Sequence, residues 1–194
     1  MSPLQPTEFE HLAVLAAREV EGLRLELLGG RPAFRPMADG VHSTLTTWLA
    51  RQRWQQKPEW GLHIGLGLKV GADREGRAVP DGVLLPVGHL LGTGYWAEPD
   101  GVLLTAEVTS GGDEEADRRD RIGKPRAYAE SAIPVYLLID RDSREVVVHD
   151  RPEDGVYAQR LSVPFGKTVA LPEPVGIELD TQQLLSWAAG EGEC

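Results

Sequence analysis

The amino-acid sequence predicts a sheet domain of α/β type covered by helices, and three observations carry that prediction. Segments in which apolar and polar residues alternate, the mark of a half-buried strand, outnumber segments with apolar residues at helical spacing. The two kinds are interleaved along the chain, as an α/β or α+β sheet domain requires. The 194 residues can bury one substantial core and favour one domain over two.

A first helix is expected from about Thr7 to Val20. Thr7 and Glu10 make a capping-box pair, and Phe9, Leu12, Ala13, Ala16 and Val20 recur at helical spacing. Leu23, Leu25 and Leu27 then alternate with Arg24 and Glu26, and Gly29-Gly30 suits a tight turn, so a β-hairpin with Arg31–Arg35 follows. A second helix, about Gly40–Trp54, carries Val41, Leu45, Trp48 and Leu49 on one side. Leu62, Ile64, Leu66, Leu68 and Val70 alternate with His63, Gly65, Gly67 and Lys69, which predicts one strand whose glycines admit close approach. Val83–Val87 and Val102–Thr109 read as two further strands, separated by a Gly-rich loop holding Tyr95 and Trp96. A charged helical stretch between Gly111 and Ser131 is entered through Gly111-Gly112 and interrupted near Pro125. Val135–Asp140 and Glu145–His149 form a hairpin across Arg141–Arg144, with Val156–Val163 as a later strand. Asp180–Ala189 reads as a terminal helix with Asp180 as its N-cap. In this division the N-terminal helix occupies residues 1–22, the core about 23–163, and a C-terminal extension of the same domain 164–194.

Composition narrows the functions. Hydrophobic and charged fractions of 41% and 26% are those of an ordinary globular protein, and no apolar run approaches the ~18 residues that cross a bilayer. Met1 to Pro6 lacks the basic and apolar regions of a secretory signal, so a cytoplasmic address without membrane attachment is expected. The single cysteine, Cys194, supports neither a disulfide within the chain nor a cysteine-rich zinc site. A net charge of −10 opposes non-specific binding of nucleic acid, although a basic cleft on an acidic protein can still hold a polyanion.

No phosphate loop, dinucleotide fingerprint, His-Glu-x-x-His or serine nucleophile elbow is present. What remains is an acidic pair, Asp81 and Glu107, followed by Lys124. If Asp81 opens one strand and Glu107 closes its neighbour, both carboxylates can face the same way and share a hard cation such as Mg²⁺, with Mn²⁺ as a substitute. On the second strand Val102, Leu104, Ala106 and Val108 form a core face, while Leu103, Thr105, Glu107 and Thr109 form a face that turns polar, as a cleft at a sheet edge would need.

Each residue also has a plainer reading. Pro-Asp-Gly is a turn signal, and it occurs twice, in Pro80–Leu85 and Pro99–Leu104, which makes Asp100 a rival of Asp81. Asp100 lies in the turn leading into the strand that ends at Glu107, so the two would sit at its opposite ends, and Asp81 is preferred. Thr105, Glu107 and Thr109 could be a solvated strand face, and Asp120/Lys124 a surface pair at i, i+4. Tyr95 and Trp96 could stack on bases or pack on the domain edge.

The run Val79-Pro80-Asp81, then Ala106-Glu107-Val108-Thr109-Ser110, Asp120-x-x-x-Lys124, Tyr128, Ile133-Pro134 and Tyr136 to Asp140 resembles the Uma-type restriction endonuclease family. That family is a bacterial branch of the PD-(D/E)XK nucleases. The resemblance spans about Leu23 to Tyr157, is most specific from Glu107 to Asp140, and includes Gly22 to Leu27 and His42. It implies a restriction-endonuclease-like mixed sheet flanked by helices, preceded by a helix and a hairpin. It makes Asp81, Glu107 and the Val108 carbonyl metal ligands and Lys124 a catalytic residue, a migrated counterpart of the superfamily lysine that would fall at Thr109. Glu26 and His42 can reach the site from the N-terminal layer and rank second, with Asp120 and Thr109.

The implied activity is Mg²⁺-dependent endonucleolytic cleavage of DNA, with a homodimer expected from the need to cut two strands. The competing reading, drawn from the acidic charge and the lack of an obvious basic patch, is a binding or assembly module that keeps the nuclease fold without catalysis.

Overall fold

The computed structural model describes residues 4–35, 37–110 and 114–189. The expected Gly111-Gly112 entry loop and Cys194 lie outside the described residues. The chain opens with helix α1 (Pro6–Glu19), and its capping box sits two residues earlier than Thr7 and Glu10. Pro6 takes the first helical position, where a missing N–H costs nothing, and the Gln5 N–H donates to Glu8 Oε2 at 3.2 Å. Only part of the expected apolar stripe is covered. Phe9 is buried, with Ala13 and Ala16 packed beside it, whereas Leu12 and Val20 are 47% and 53% exposed.

The hairpin β1 (Arg24–Leu28) and β2 (Arg31–Arg35) forms as expected, with φ of +55° and +72° at Gly29 and Gly30. Leu25 and Leu27 meet Phe9 of α1, while Glu26 points the other way and is equally buried. Helix α2 (Gly40–Gln56) follows, with Leu45, Trp48 and Leu49 in the core.

The alternation from Leu62 to Val70 does not form one strand. It divides into β3 (Trp60–His63) and β4 (Gly67–Val70), which belong to different sheets. The break falls at Gly65, whose φ of +74° turns the chain, and Ile64 beside it is exposed. Strands β5 (Gly76–Ala78), β6 (Gly82–Pro86) and β7 (Trp96–Ala97) follow, the first and last without a periodic signal because they are three and two residues long. Trp96 packs on Phe9 with ring centroids 6.1 Å apart, so the domain-edge reading holds for it; Tyr95 stays exposed. A Cβ at Gly67 would lie 2.5 Å from the Trp96 ring and 2.7 Å from the Tyr95 carbonyl. Backbone cannot retreat, so Gly67→Ala is expected to lower unfolding stability by roughly 1–3 kcal/mol, measurable by urea denaturation.

Strand β8 (Leu104–Val108) leads through α3 (Glu114–Arg118), a π-helical turn (Arg119–Gly123) and α4 (Lys124–Glu130) to β9 (Val135–Asp140). Strands β10 (Glu145–Glu153) and β11 (Val156–Pro164) form a long hairpin, and β12 (Thr168–Ala170) pairs with β13 (Glu178–Asp180) before α5 (Gln182–Ala189). Asp180 therefore ends a strand rather than capping a helix in the usual way, although its carboxylate still accepts the Gln182 N–H at 3.0 Å.

The larger sheet has the order β11-β10-β9-β8-β6-β3, with β8 and β9 parallel and the other pairs antiparallel. A smaller mixed sheet, β2-β1-β5-β4-β7, lies over part of it. Alternate residues of the large sheet feed two cores. Leu84, Leu104, Ala106, Val108, Leu137 and Ile139 meet α2, α5 and the β12–β13 pair. Val83, Leu85, Tyr136, Leu138 and Val147 meet the small sheet and α4. Val102, assigned to the first face by its spacing, belongs to the second core because it precedes β8 in a turn closed by its N–H to the Pro99 carbonyl.

His149 of β10 lies between Tyr136 and Tyr157, with centroids 5.5 and 5.9 Å away. Burial, aided by Arg160, lowers its pKa to about 4. A histidine depressed below its unfolded value contributes stability that is present above about pH 6.5 and is lost as the pH falls towards 4. His149→Phe is expected to flatten this acid limb in pH-dependent urea unfolding relative to the parent protein.

Candidate active site

The antiparallel register of β6 and β8 ends at the pair Gly82–Ala106, so Asp81 and Glu107 each lie one residue beyond it on neighbouring segments. Glu107 shares the face of Thr105, which pairs with Val83 of the second core, so its carboxylate leaves towards α4 and the small sheet, while Asp81 at the start of β6 also meets the first turn of α2. The Val108 N–H donates to Asp81 Oδ2 at 2.8 Å and ties the end of β8 to the start of β6. The location differs from the expected sheet edge, because β8 is an interior strand with β6 and β9 on either side. Thr105, Glu107 and Thr109 are at most 1% exposed, which excludes a solvated face.

Lys124 reaches Glu107 from the helical segment, and Pro125 explains how. Pro125 has no N–H to give the preceding turn, and the chain widens so that the Lys124 N–H bonds the Arg119 carbonyl, five residues back. The Asp120 carbonyl left without a helical donor accepts the Tyr136 hydroxyl at 2.6 Å. The predicted interruption at Pro125 is thus a π turn, not a break. It leaves Lys124 Nζ 3.0 Å from Glu107 Oε2, 3.0 Å from Asp120 Oδ1 and 3.3 Å from Glu26 Oε1. Lys124 is 3% exposed, so the Asp120/Lys124 pair is a buried ion pair and not a surface one.

Every other oxygen of the central pair is held. Tyr128 donates its hydroxyl to Glu107 Oε1 at 2.8 Å, Arg35 pairs with Asp81 Oδ1, and His42 Nε2 lies 3.0 Å from Asp81 Oδ2. Glu26 Oε1 accepts the Val79 N–H at 2.8 Å, whereas its buried Oε2 has no hydrogen-bond partner among the described residues. Glu26, Arg35, His42, Asp81, Glu107, Val108, Asp120 and Lys124 line one cavity of about 20 Å³, the scale of a single water or ion.

Four carboxylates share this cavity with Arg35, Arg119 and Lys124, and burial together with Asp120 and Glu26 raises the Glu107 pKa to about 7 despite Lys124. Burial would lower Lys124, but Asp120, Glu107 and Glu26 outweigh it and hold the ammonium charged. His42 is lowered to about 4 by burial and by Arg35, so it is neutral at pH 7. A buried cluster of four carboxylates, one of them with an unsatisfied oxygen, suits a cation.

Of the residues assigned to the site from the sequence, all but Thr109 meet in this cavity. The Thr109 hydroxyl instead accepts the Arg141 N–H at 2.9 Å in the β9–β10 turn. Asp100 is also elsewhere, its carbonyl 3.0 Å from His89 Nε2. Arg35, which has no motif around it, was missed; the hairpin register that pairs it with Arg24 was its only signal. Among the described residues no three His, Cys, Asp or Glu side chains form a ready metal cluster, and no helix is long and apolar enough to cross a membrane.

The family model described as "Uma2: Putative restriction endonuclease" matches residues 6–182. No curated protein matches the chain. Among solved structures, a "putative nuclease belonging to DUF820" from Anabaena variabilis ATCC 29413 is 18% identical with a TM-score of 0.69, over 96% of this chain and 99% of that one. This likeness establishes a restriction-endonuclease-like fold. The DrdV–DNA complex is 16% identical over 83% of this chain and 12% of that one, with a TM-score of 0.37, too slight to bear on fold or function.

Proposed function

Because the chain belongs to the Uma2 family, described as "Putative restriction endonuclease", we propose that it is a Mg²⁺-dependent endonuclease that hydrolyses phosphodiester bonds of DNA. The observation that supports this most is the convergence of Asp81, Glu107, Val108 and the buried Lys124 on one cavity.

The donor set fits a hard cation. Mg²⁺ takes one or two carboxylates and keeps its other positions for water and phosphate oxygens, so Asp81, Glu107 and the Val108 carbonyl suffice without a third acidic ligand. When bound there, Mg²⁺ supplies polarisation of the scissile phosphate and a more acidic water. The chain's own residues do the rest. Tyr128 fixes one oxygen of Glu107 and Lys124 the other, so the carboxylate cannot rotate. Lys124, held by three carboxylates away from solvent, keeps a positive charge beside Glu107, where it stabilises negative charge that develops on the phosphate. Neutral His42 and Arg35 set the direction of Asp81.

Purified protein is expected to nick or linearise plasmid DNA with Mg²⁺ or Mn²⁺, and EDTA is expected to abolish the reaction. A second reading, a non-catalytic module on the same fold, is favoured by Arg35, which occupies the Asp81 oxygen that a cation would use. Calorimetric titration with Mg²⁺ separates the two: binding that is lost in Asp81→Ala supports the nuclease, and no binding, or equal binding in the variant, supports the module.

A further inference from the structure

The small cavity is not isolated. Arg35, Met37, His42 and Asp81 form a wall shared with an open groove of about 720 Å³. This groove shares Arg24 and Gly65 with a hollow of about 280 Å³ lined by Tyr95 and Trp96. It shares Ser43 and Thr47, on a different element, with a second hollow of about 490 Å³ lined by Arg51 and Trp187. The three adjoin in a trench that passes the Asp81 side of the candidate active site.

The chemistry of the trench differs from that of the protein as a whole. Its walls carry Arg18, Arg24, Arg35 and Arg51 against Glu21 and Asp81, on a chain of net charge −10. Ser43, Thr47 and Arg51 recur at four-residue spacing, so they share one face of α2, and Ser43 and Arg51 are about 12 Å apart, or about three stacked nucleotides. Met37 and Ile64, 81% and 63% exposed, stand on the central groove, and Tyr95 and Trp187 stand in the two hollows.

We infer that this trench is the binding path for a single polynucleotide strand, with Arg24 and Arg51 holding phosphates on opposite sides of Asp81 and Tyr95 and Trp187 stacking on unpaired bases. The inference rests on the nuclease reading for its choice of ligand. Guanidinium groups at intervals match a phosphate backbone, and local positive charge overcomes a negative total within a Debye length. Aromatic side chains in the two hollows can stack only on bases that are not enclosed in a duplex, which selects a single strand.

The test is fluorescence anisotropy of a labelled single-stranded oligonucleotide of about twelve nucleotides in EDTA, so that neither metal nor turnover enters the result. Arg24→Glu and Arg51→Glu are each expected to weaken binding about tenfold at 0.1 M salt and to reduce the slope of log affinity against log salt by about 0.7 to 1. Tyr95→Ala is expected to weaken it by roughly fivefold or more. Arg160→Glu on β11, outside the trench, is expected to leave it unchanged. The same oligonucleotide as a duplex is expected to bind more weakly. Parental affinity in both Arg24→Glu and Arg51→Glu, or equal or tighter binding of duplex, overturns the inference. Failure of the nuclease reading appears separately, as the absence of Mg²⁺-dependent cleavage by protein that still binds the strand.

Discussion

Lys124→Met is expected to destabilise the fold by about 3–5 kcal/mol, seen as a lower urea midpoint at unchanged slope. Methionine fills the same space, but it leaves Glu26, Glu107 and Asp120 without the cation that all three contact. The cost is that of uncompensated buried charge, so it should be relieved when charge is removed. The triple variant Lys124→Met, Glu107→Gln, Asp120→Asn is expected to regain much of the lost stability while remaining inactive. A midpoint for Lys124→Met equal to that of the parent protein would mean that the three carboxylates are solvated or protonated in the folded state.

Glu107→Gln is expected to reduce Mg²⁺-dependent cleavage by about three orders of magnitude or more, since the carboxylate helps to hold an ion worth several kcal/mol of transition-state stabilisation. The substitution can turn its one oxygen to Lys124 and its amide N–H to the Tyr128 hydroxyl, which accepts it, and Lys124 stays paired with Asp120 and Glu26, so the fold is expected to survive. Plasmid cleavage and calorimetry on the same sample check both parts. Retained cleavage would place the chemistry in another site or in a contaminant.

Much of this arrangement was legible in the residues. The hairpin across Gly29-Gly30, the strand through Glu107, the strand ending at Asp140 and the presence of a helix near either end follow from local periodicity and turn chemistry, which act within a few residues. The preference for Asp81 over its duplicate Asp100 also rested on local grounds, because Asp100 leads directly into β8. Other features were not legible. The alternation from Leu62 to Val70 runs through a bend, since period-two patterning cannot reveal that Gly65 takes a positive φ and sends the two halves to different sheets. The register of the α1 cap turned on Pro6, whose preference for the first helical turn outweighs the Thr7/Glu10 pair.

The amino-acid sequence was enough to single out most of the residues that line the cavity, and the kinds of element that hold them, because motif spacing and side-chain period are properties of short segments. Only the tertiary structure decided that Glu26, 98 residues before Lys124, shares its charge, that Arg35 closes over Asp81, and that Asp120 is buried rather than solvated. Those contacts depend on how the hairpin and the π turn pack over the sheet. Electrostatic coupling is set by distance and burial in space, which separation along the chain does not encode.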